Sequence, residues 1–186
     1  KIGLPIPNGL IATTVACKNY FKDGNYLSEN MINDIKEGIK KLEVETGKEF
    51  DGENPLLVSV RSGAPVSMPG MMDTILNLGL NDNTVQKLIE KTKNEKFVYE
   101  IYLRFIEMFA EIVKGVSREK FIKIKEYSRE KKYKEIVESF KGLYWIETGE
   151  FFPENPENQI LMAVESIFKS WNNERAKIYR QLNNID

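Results

Sequence analysis

There is no histidine anywhere in the 186 residues. That absence removes an imidazole general base, an imidazole metal ligand and a phosphohistidine from this stretch of chain. Cysteine occurs once, at Cys17, so no internal disulfide can form and no Cys/His zinc site can be assembled. A lone cysteine fits a reducing compartment, and a cytoplasmic location is the expectation. Excess charge of one sign is missing too. The 27 basic and 28 acidic residues leave a net charge of −1, where a dedicated nucleic-acid binder shows a marked basic excess. No apolar run approaches the roughly 18 residues that a membrane helix needs. The segment KIGLPIPNG also lacks the basic start, long apolar run and cleavage site of a secretory signal. Neither nucleic acid nor membrane is therefore expected as a partner. Chemistry is left to carboxylates, Lys, Arg, backbone amides and a hard metal ion.

Strand signals are scarce and helix signals abundant. Residues 1–9 read as extended, because Pro5 and Pro7 bias their predecessors away from the helical region. Leu10 to Thr13 has the composition of a short strand, and Thr14 to Phe21 that of a short helix ending before Asp23-Gly24. Ser28 is placed to cap a helix with Met31, Ile32, Ile35, Ile39 and Leu42 on one face and Gly47 as its stop. Leu56 to Val60 is the clearest strand. From Asp82 onward the chain reads as helical. One helix is capped by Asp82 or Asn83. Another is capped by Asn94, with Phe97, Ile101, Phe105, Met108 and Ile112 in helical register up to Gly115. Charged segments over 117–126 and 130–141 read as short helices with a solvated Lys/Glu face. Asn155-Pro156 starts a further helix with Ile160, Leu161, Val164, Ile167, Phe168 and Trp171 along its buried stripe, and Asn172 or Asn173 restarts a last one. The fold class is α+β with helix dominant: an α/β part over 1–81 and a mostly helical part over 82–186.

The stretch VSVRSGAPVSMPGMMDT, from Val58 to Thr74, is the least ordinary. A buried strand runs into Arg61 and Ser62-Gly63, then into a Gly/Pro-punctuated loop carrying Met68, Met71 and Met72. A guanidinium leaving a strand end beside free backbone amides can grip phosphate oxygens in a forked geometry, or pair with a nearby carboxylate. Gly63 and Gly70 match neither a Walker A nor a GxGxxG spacing. The methionines either plug core gaps or line an adaptable pocket. Arg104 stands at the margin of an apolar helix stripe, where a structural carboxylate or a ligand phosphate would serve as its partner.

The full run VSVRSGAPVSMPGMMDTILNLGLND resembles the signature of the nucleotide-binding domain of the pyruvate, phosphate dikinases. Phosphoenolpyruvate synthases and glucan, water dikinases share the VRS portion, but their loop continues toward Gln-Glu-Thr where this chain has Met72-Asp73-Thr74. Four shorter pieces stand in the family's order on both sides of it: GLPIPNG and TTVAC before, FFPENPENQ and SWNNERAKIYR after. The resemblance implies part of an ATP-grasp-like domain that binds ATP with Mg2+. The parent enzyme then passes phosphate to a histidine on a swivelling domain and on to pyruvate at a barrel, with a homodimer left open. It implies that Arg61, Met71, Met72, Asp73 and Arg104 face the nucleotide. The glycine-rich lysine segment, the metal-binding acids and the accepting histidine are expected outside these residues, so no turnover is expected from them alone. Alternatives are a phosphoenolpyruvate synthase or glucan, water dikinase relative, or a helical interaction module that kept the fold without the nucleotide.

Overall fold

A computed structural model of the protein describes residues 6–63, 70, 72–128 and 132–184. Among these, eight helices accompany one two-stranded antiparallel sheet. The order is α1 (Thr14–Lys22), α2 (Glu29–Thr46), β1 (Val58–Arg61), β2 (Thr74–Leu78), α3 (Asp82–Thr92) and α4 (Glu95–Lys114). After these come α5 (Arg118–Tyr127), α6 (Tyr133–Thr148), α7 (Pro156–Ser170) and α8 (Glu174–Asn183). The helix-dominated α+β class is as the sequence implies.

The sheet is short and bent at a defined point. Arg61 lies opposite Thr74 and Val60 opposite Ile75, but Val58 lies opposite Leu78, so β2 carries one extra residue. Asn77, at φ 61°, absorbs it; asparagine tolerates the left-handed region better than most residues. The consequence is in the packing. Strand side chains alternate faces, so residues three apart point oppositely on a regular strand. The bulge turns both Ile75 and Leu78 into the core, where each is fully buried.

Gly79 follows immediately, at φ +105°, where a Cβ would come within 2.6 Å of the Leu56 carbonyl oxygen. Its N–H donates to Gln159 Oε1 at 2.8 Å. The same buried amide donates from Nε2 to the Leu80 carbonyl at 2.9 Å and the Pro153 carbonyl at 2.8 Å. One α7 side chain thereby ties the exit of β2 to the FFPENPENQ segment. Asn81, not Asp82 or Asn83, caps α3: its Oδ1 accepts from Thr84 N at 2.8 Å, while its Nδ2 donates to Asp51 and to the Glu154 carbonyl.

Helix α4 is the central pillar. Its buried stripe is Val98, Tyr102, Phe105, Ile106 and Phe109, one position round from the expected Phe97–Ile101–Met108 line. Phe97 is exposed. The aromatic residues decide the rotation: Phe152 enters from the α6–α7 connection and meets Phe105, Phe109 and Tyr144 with ring centroids 5.4–5.8 Å apart. Such edge-on groups add to area burial. Phe151, the neighbour of Phe152, is exposed.

Several expected boundaries move. Leu10 to Thr13 forms no strand; Thr13 instead caps α1, accepting from Ala16 N through its hydroxyl. The 130–141 segment becomes α6, beginning at Tyr133 and running to Thr148, because Ile136, Val137, Phe140 and Tyr144 keep one buried face past Lys141. The Lys/Glu run is not wholly a solvated face. Arg118 and Lys125 converge on the buried Glu107 carboxylate of α4, and Lys141 pairs with Asp82 and Glu154. A carboxylate carried inward on a helix needs such countercharge. Trp171, expected in the core, is half-buried at the end of α7, with the Arg180 guanidinium 4.1 Å above its ring.

Replacing Gln159 with Leu would strand the Gly79 N–H and two carbonyls at once. We expect a loss of about 3 kcal/mol in urea unfolding, the range for several unpaired buried groups. A loss below about 1 kcal/mol would show that water or a shifted backbone replaces the amide.

Buried protons set the alkaline limit of stability. Burial raises the Tyr102 hydroxyl pKa, and Glu154 and Asp82, which accept from it, raise it further. Burial likewise raises Tyr20, with Glu165 adding to it, and pushes Tyr144 up to about 12 from its ordinary 10.0. Burial works against the Lys141 charge, but its bonds to Asp82 and Glu154 outweigh this and hold its proton more tightly. All four groups keep protons in the folded chain that the unfolded chain releases. Stability is therefore fully present below about pH 10 and falls as pH rises toward about 12. Urea midpoints should be level from about pH 8 to 9 and then decline; a level profile to pH 12 would contradict this account.

Candidate functional site

The segment 62–73 joins the two strands at the end of the sheet away from Gly79. Arg61, the last residue of β1, is exposed there. No carboxylate lies within 4.0 Å of its guanidinium among the described residues, so the ion-pair alternative raised by the sequence has no partner there. Its cross-strand neighbour is Thr74, which directly follows Asp73. The two arms also touch through Ser62, whose hydroxyl donates to Met72 Sδ at 2.9 Å. Met72 and Asp73 are half-buried. Three of the five residues singled out, Arg61, Met72 and Asp73, thus share the loop end of one hairpin. Met71 lies outside the described residues, as does Met68.

Asp73 has a partner from the far end of the chain. Arg175, in the first turn of α8, places Nη2 3.9 Å from Asp73 Oδ1. This is charge attraction at a separation too long for a hydrogen bond. The SWNNERAKIYR segment suggests a salt bridge for Arg175, but its partner is fixed only by the fold. Arg180, the second arginine of that segment, is committed to Trp171, stacking on its ring and donating to its carbonyl.

Arg104 is on α4, which packs on β2. It projects from the outer edge of the helix between Ile101 and Met108 and is exposed rather than buried. No ion pair joins it to a described carboxylate. No hydrogen bond or ion pair among the described residues joins it to the hairpin. Among the described residues no group of three or more Asp, Glu or Cys side chains is disposed to hold a metal. Asp73 faces Arg175 rather than a second carboxylate. The described residues form no magnesium site of their own. No helix among them is long and apolar enough to cross a membrane.

A family model described as pyruvate phosphate dikinase, AMP/ATP-binding domain matches residues 24–186. The chain belongs to that family. It is 45% identical over 198 residues to the pyruvate, phosphate dikinase of Clostridium symbiosum, an alignment covering 99% of this chain and 23% of that protein. The chloroplastic enzyme of Mesembryanthemum crystallinum is 42% identical over 198 residues, covering 100% of this chain and 21% of that protein. The Giardia intestinalis enzyme is 41% identical over 200 residues, covering 100% and 22%. The chain therefore spans between a fifth and a quarter of the length of these relatives, and its family is a nucleotide-binding one. The resemblance carried by the VRSGAP…MPGMMDT motif holds across the whole sequence.

An exposed guanidinium with no carboxylate partner among the described residues contributes little to folding. Arg61→Ala should change unfolding free energy by less than about 0.5 kcal/mol. A loss above about 1.5 kcal/mol in urea melts would mean that Arg61 is a structural residue.

Proposed function

We propose that this chain forms one wall of the ATP cleft of a pyruvate, phosphate dikinase, within an ATP-grasp-like domain. The observation that carries the proposal is the placement of Arg61: an exposed cation without a described carboxylate, at the loop end of a hairpin within the residues that the family model matches. A planar guanidinium offers two parallel donors to phosphate oxygens and keeps its charge at any working pH. Aimed at a transferring phosphoryl group, it stabilises charge that spreads over the equatorial oxygens, without needing to move a proton.

In this reading Met71, Met72 and Asp73 line the nucleotide cleft beside Arg61, and Arg104 supplies a second cation from α4. The unbranched thioether of Met72, held by Ser62, can conform to an apolar part of a nucleotide. The part over 1–81 carries the phosphate-facing loop, and the helical part over 82–186 braces it. The whole protein would convert ATP, phosphate and pyruvate to AMP, pyrophosphate and phosphoenolpyruvate. In this reading the phosphate acceptor is a histidine on a separate swivelling domain of the parent chain and the pyruvate site lies in a barrel domain, as the resemblance implies; these 186 residues contain no histidine. Magnesium accompanies the ATP, on ligands outside the described residues.

Mg-ATP should protect the full-length polypeptide against thermal unfolding. At about 100 times the dissociation constant the expected stabilisation is about 2.7 kcal/mol. Arg61→Ala should lose most of this protection while melting normally without nucleotide. Equal protection in the variant would remove Arg61 from the phosphate site, and no protection in either protein would remove the nucleotide.

A further inference from the structure

We propose that Arg175 is a positioning residue for the nucleotide cleft, holding Asp73 and the β2 arm of the hairpin in place opposite Arg61. The inference rests on the cleft reading above and goes beyond it, because it assigns a role to a side chain on the last helix. Four observations lead to it. Arg175 sits in the first turn of α8, where a cation opposes the helix dipole and an acidic residue such as its neighbour Glu174 is the favoured choice. The turn does not need it for capping, since Asn173 Oδ1 already accepts from Ala176 N at 2.7 Å. The next residue, Ala176, is fully buried, so one face of this first turn is kept from solvent while Arg175 beside it is exposed. And its one described ionic partner is Asp73, the residue before the strand position that faces Arg61.

The looseness of the contact fits positioning rather than support. With side chains 68% and 32% exposed and 3.9 Å between the charged atoms, the pair adds little to stability. At that distance the guanidinium attracts the carboxylate toward it without using up its acceptor lone pairs. Asp73 stays able to accept a hydrogen bond from a ligand, and its negative charge is offset, so that it does not repel phosphate from Arg61. Losing Arg175 would leave an uncompensated carboxylate next to the proposed phosphate site and free the arm that carries it.

The test is steady-state kinetics on the full-length enzyme, with ATP and pyruvate varied separately. Arg175→Ala should raise the KM for ATP about two- to five-fold, the scale of a half-exposed charge pair, and leave the KM for pyruvate and the melting temperature unmoved. Arg175→Lys should recover most of the loss, because charge at this separation does the positioning and no fork geometry is required. Arg175→Ala added to Asp73→Asn should raise the KM no further than Asp73→Asn alone, since the two act as a unit. An ATP requirement unchanged by Arg175→Ala, while Arg61→Ala raises it, overturns this inference and leaves the cleft reading standing. Additive effects of the two substitutions overturn it as well. An ATP requirement that Arg61→Ala fails to alter removes the cleft reading, and this inference with it.

Discussion

Three hydrogen bonds from one buried glutamine hold the sheet to the rest of the molecule. A two-stranded ribbon has little stability of its own, and the polar backbone at its exit must be paired wherever water cannot reach it. At Gly79 and Leu80 that pairing comes from Gln159 on α7, which binds the Pro153 carbonyl with the same amide group. Breaking one of these bonds would cost more than forming it gains, because a buried donor or acceptor left alone loses its hydration without compensation. The tie therefore fixes where β2 begins its run from the core. The Asn77 bulge fixes which way it faces, and the two together set where Arg61 and Asp73 emerge at the other end.

Charge is distributed in the opposite sense to need. Under α3 and α4 the carboxylates are crowded with partners: Glu107 takes Arg118 and Lys125, while Asp82 and Glu154 share Lys141 and the Tyr102 hydroxyl. Glu107 is drawn out of water and must be neutralised locally, or folding would have to bear an isolated charge, while the Asp82 and Glu154 side chains stay partly exposed. At the loop end of the hairpin and on the outer edge of α4 the situation reverses. Arg61 and Arg104 are exposed with no described carboxylate, and Asp73 is matched only at a distance. Cations left in water cost folding almost nothing and remain available to an anion that arrives later.

Much of this was legible in the residues, and what was not has physical reasons. Caps at Ser28, Asn94 and Asn155 were readable because a short polar side chain before an apolar-periodic run satisfies local N–H groups by itself. The α4 stripe was misplaced by one position because Phe97 is as apolar as its neighbours, and only the ring of Phe152, arriving from a distant loop, selects the face. The strand β2 is masked by its own bulge: Ile75 and Leu78 are both buried yet three apart, which breaks the two-residue alternation that marks a strand. Arg61, Met72 and Asp73 were placed together by the motif and by adjacency through one turn. The Arg175–Asp73 pair was not, since no local pattern links a first-turn arginine to a carboxylate in another part of the chain.

The two ends of the hairpin are held by different means among the described residues. At the Gly79 end a bulged strand and the buried Gln159 amide fix the backbone, and such bonds are costly to break because an unpaired buried group loses its hydration. At the loop end the described contacts include the Ser62 hydroxyl on the Met72 sulfur and the Asp73–Arg175 ion pair, which lies beyond hydrogen-bond length. A site that binds an anion gains affinity when its donors are already held in direction, because each side chain ordered on binding subtracts from affinity. Under the proposed reading, a half-exposed pair such as Asp73–Arg175 therefore acts through orientation rather than through its small contribution to stability.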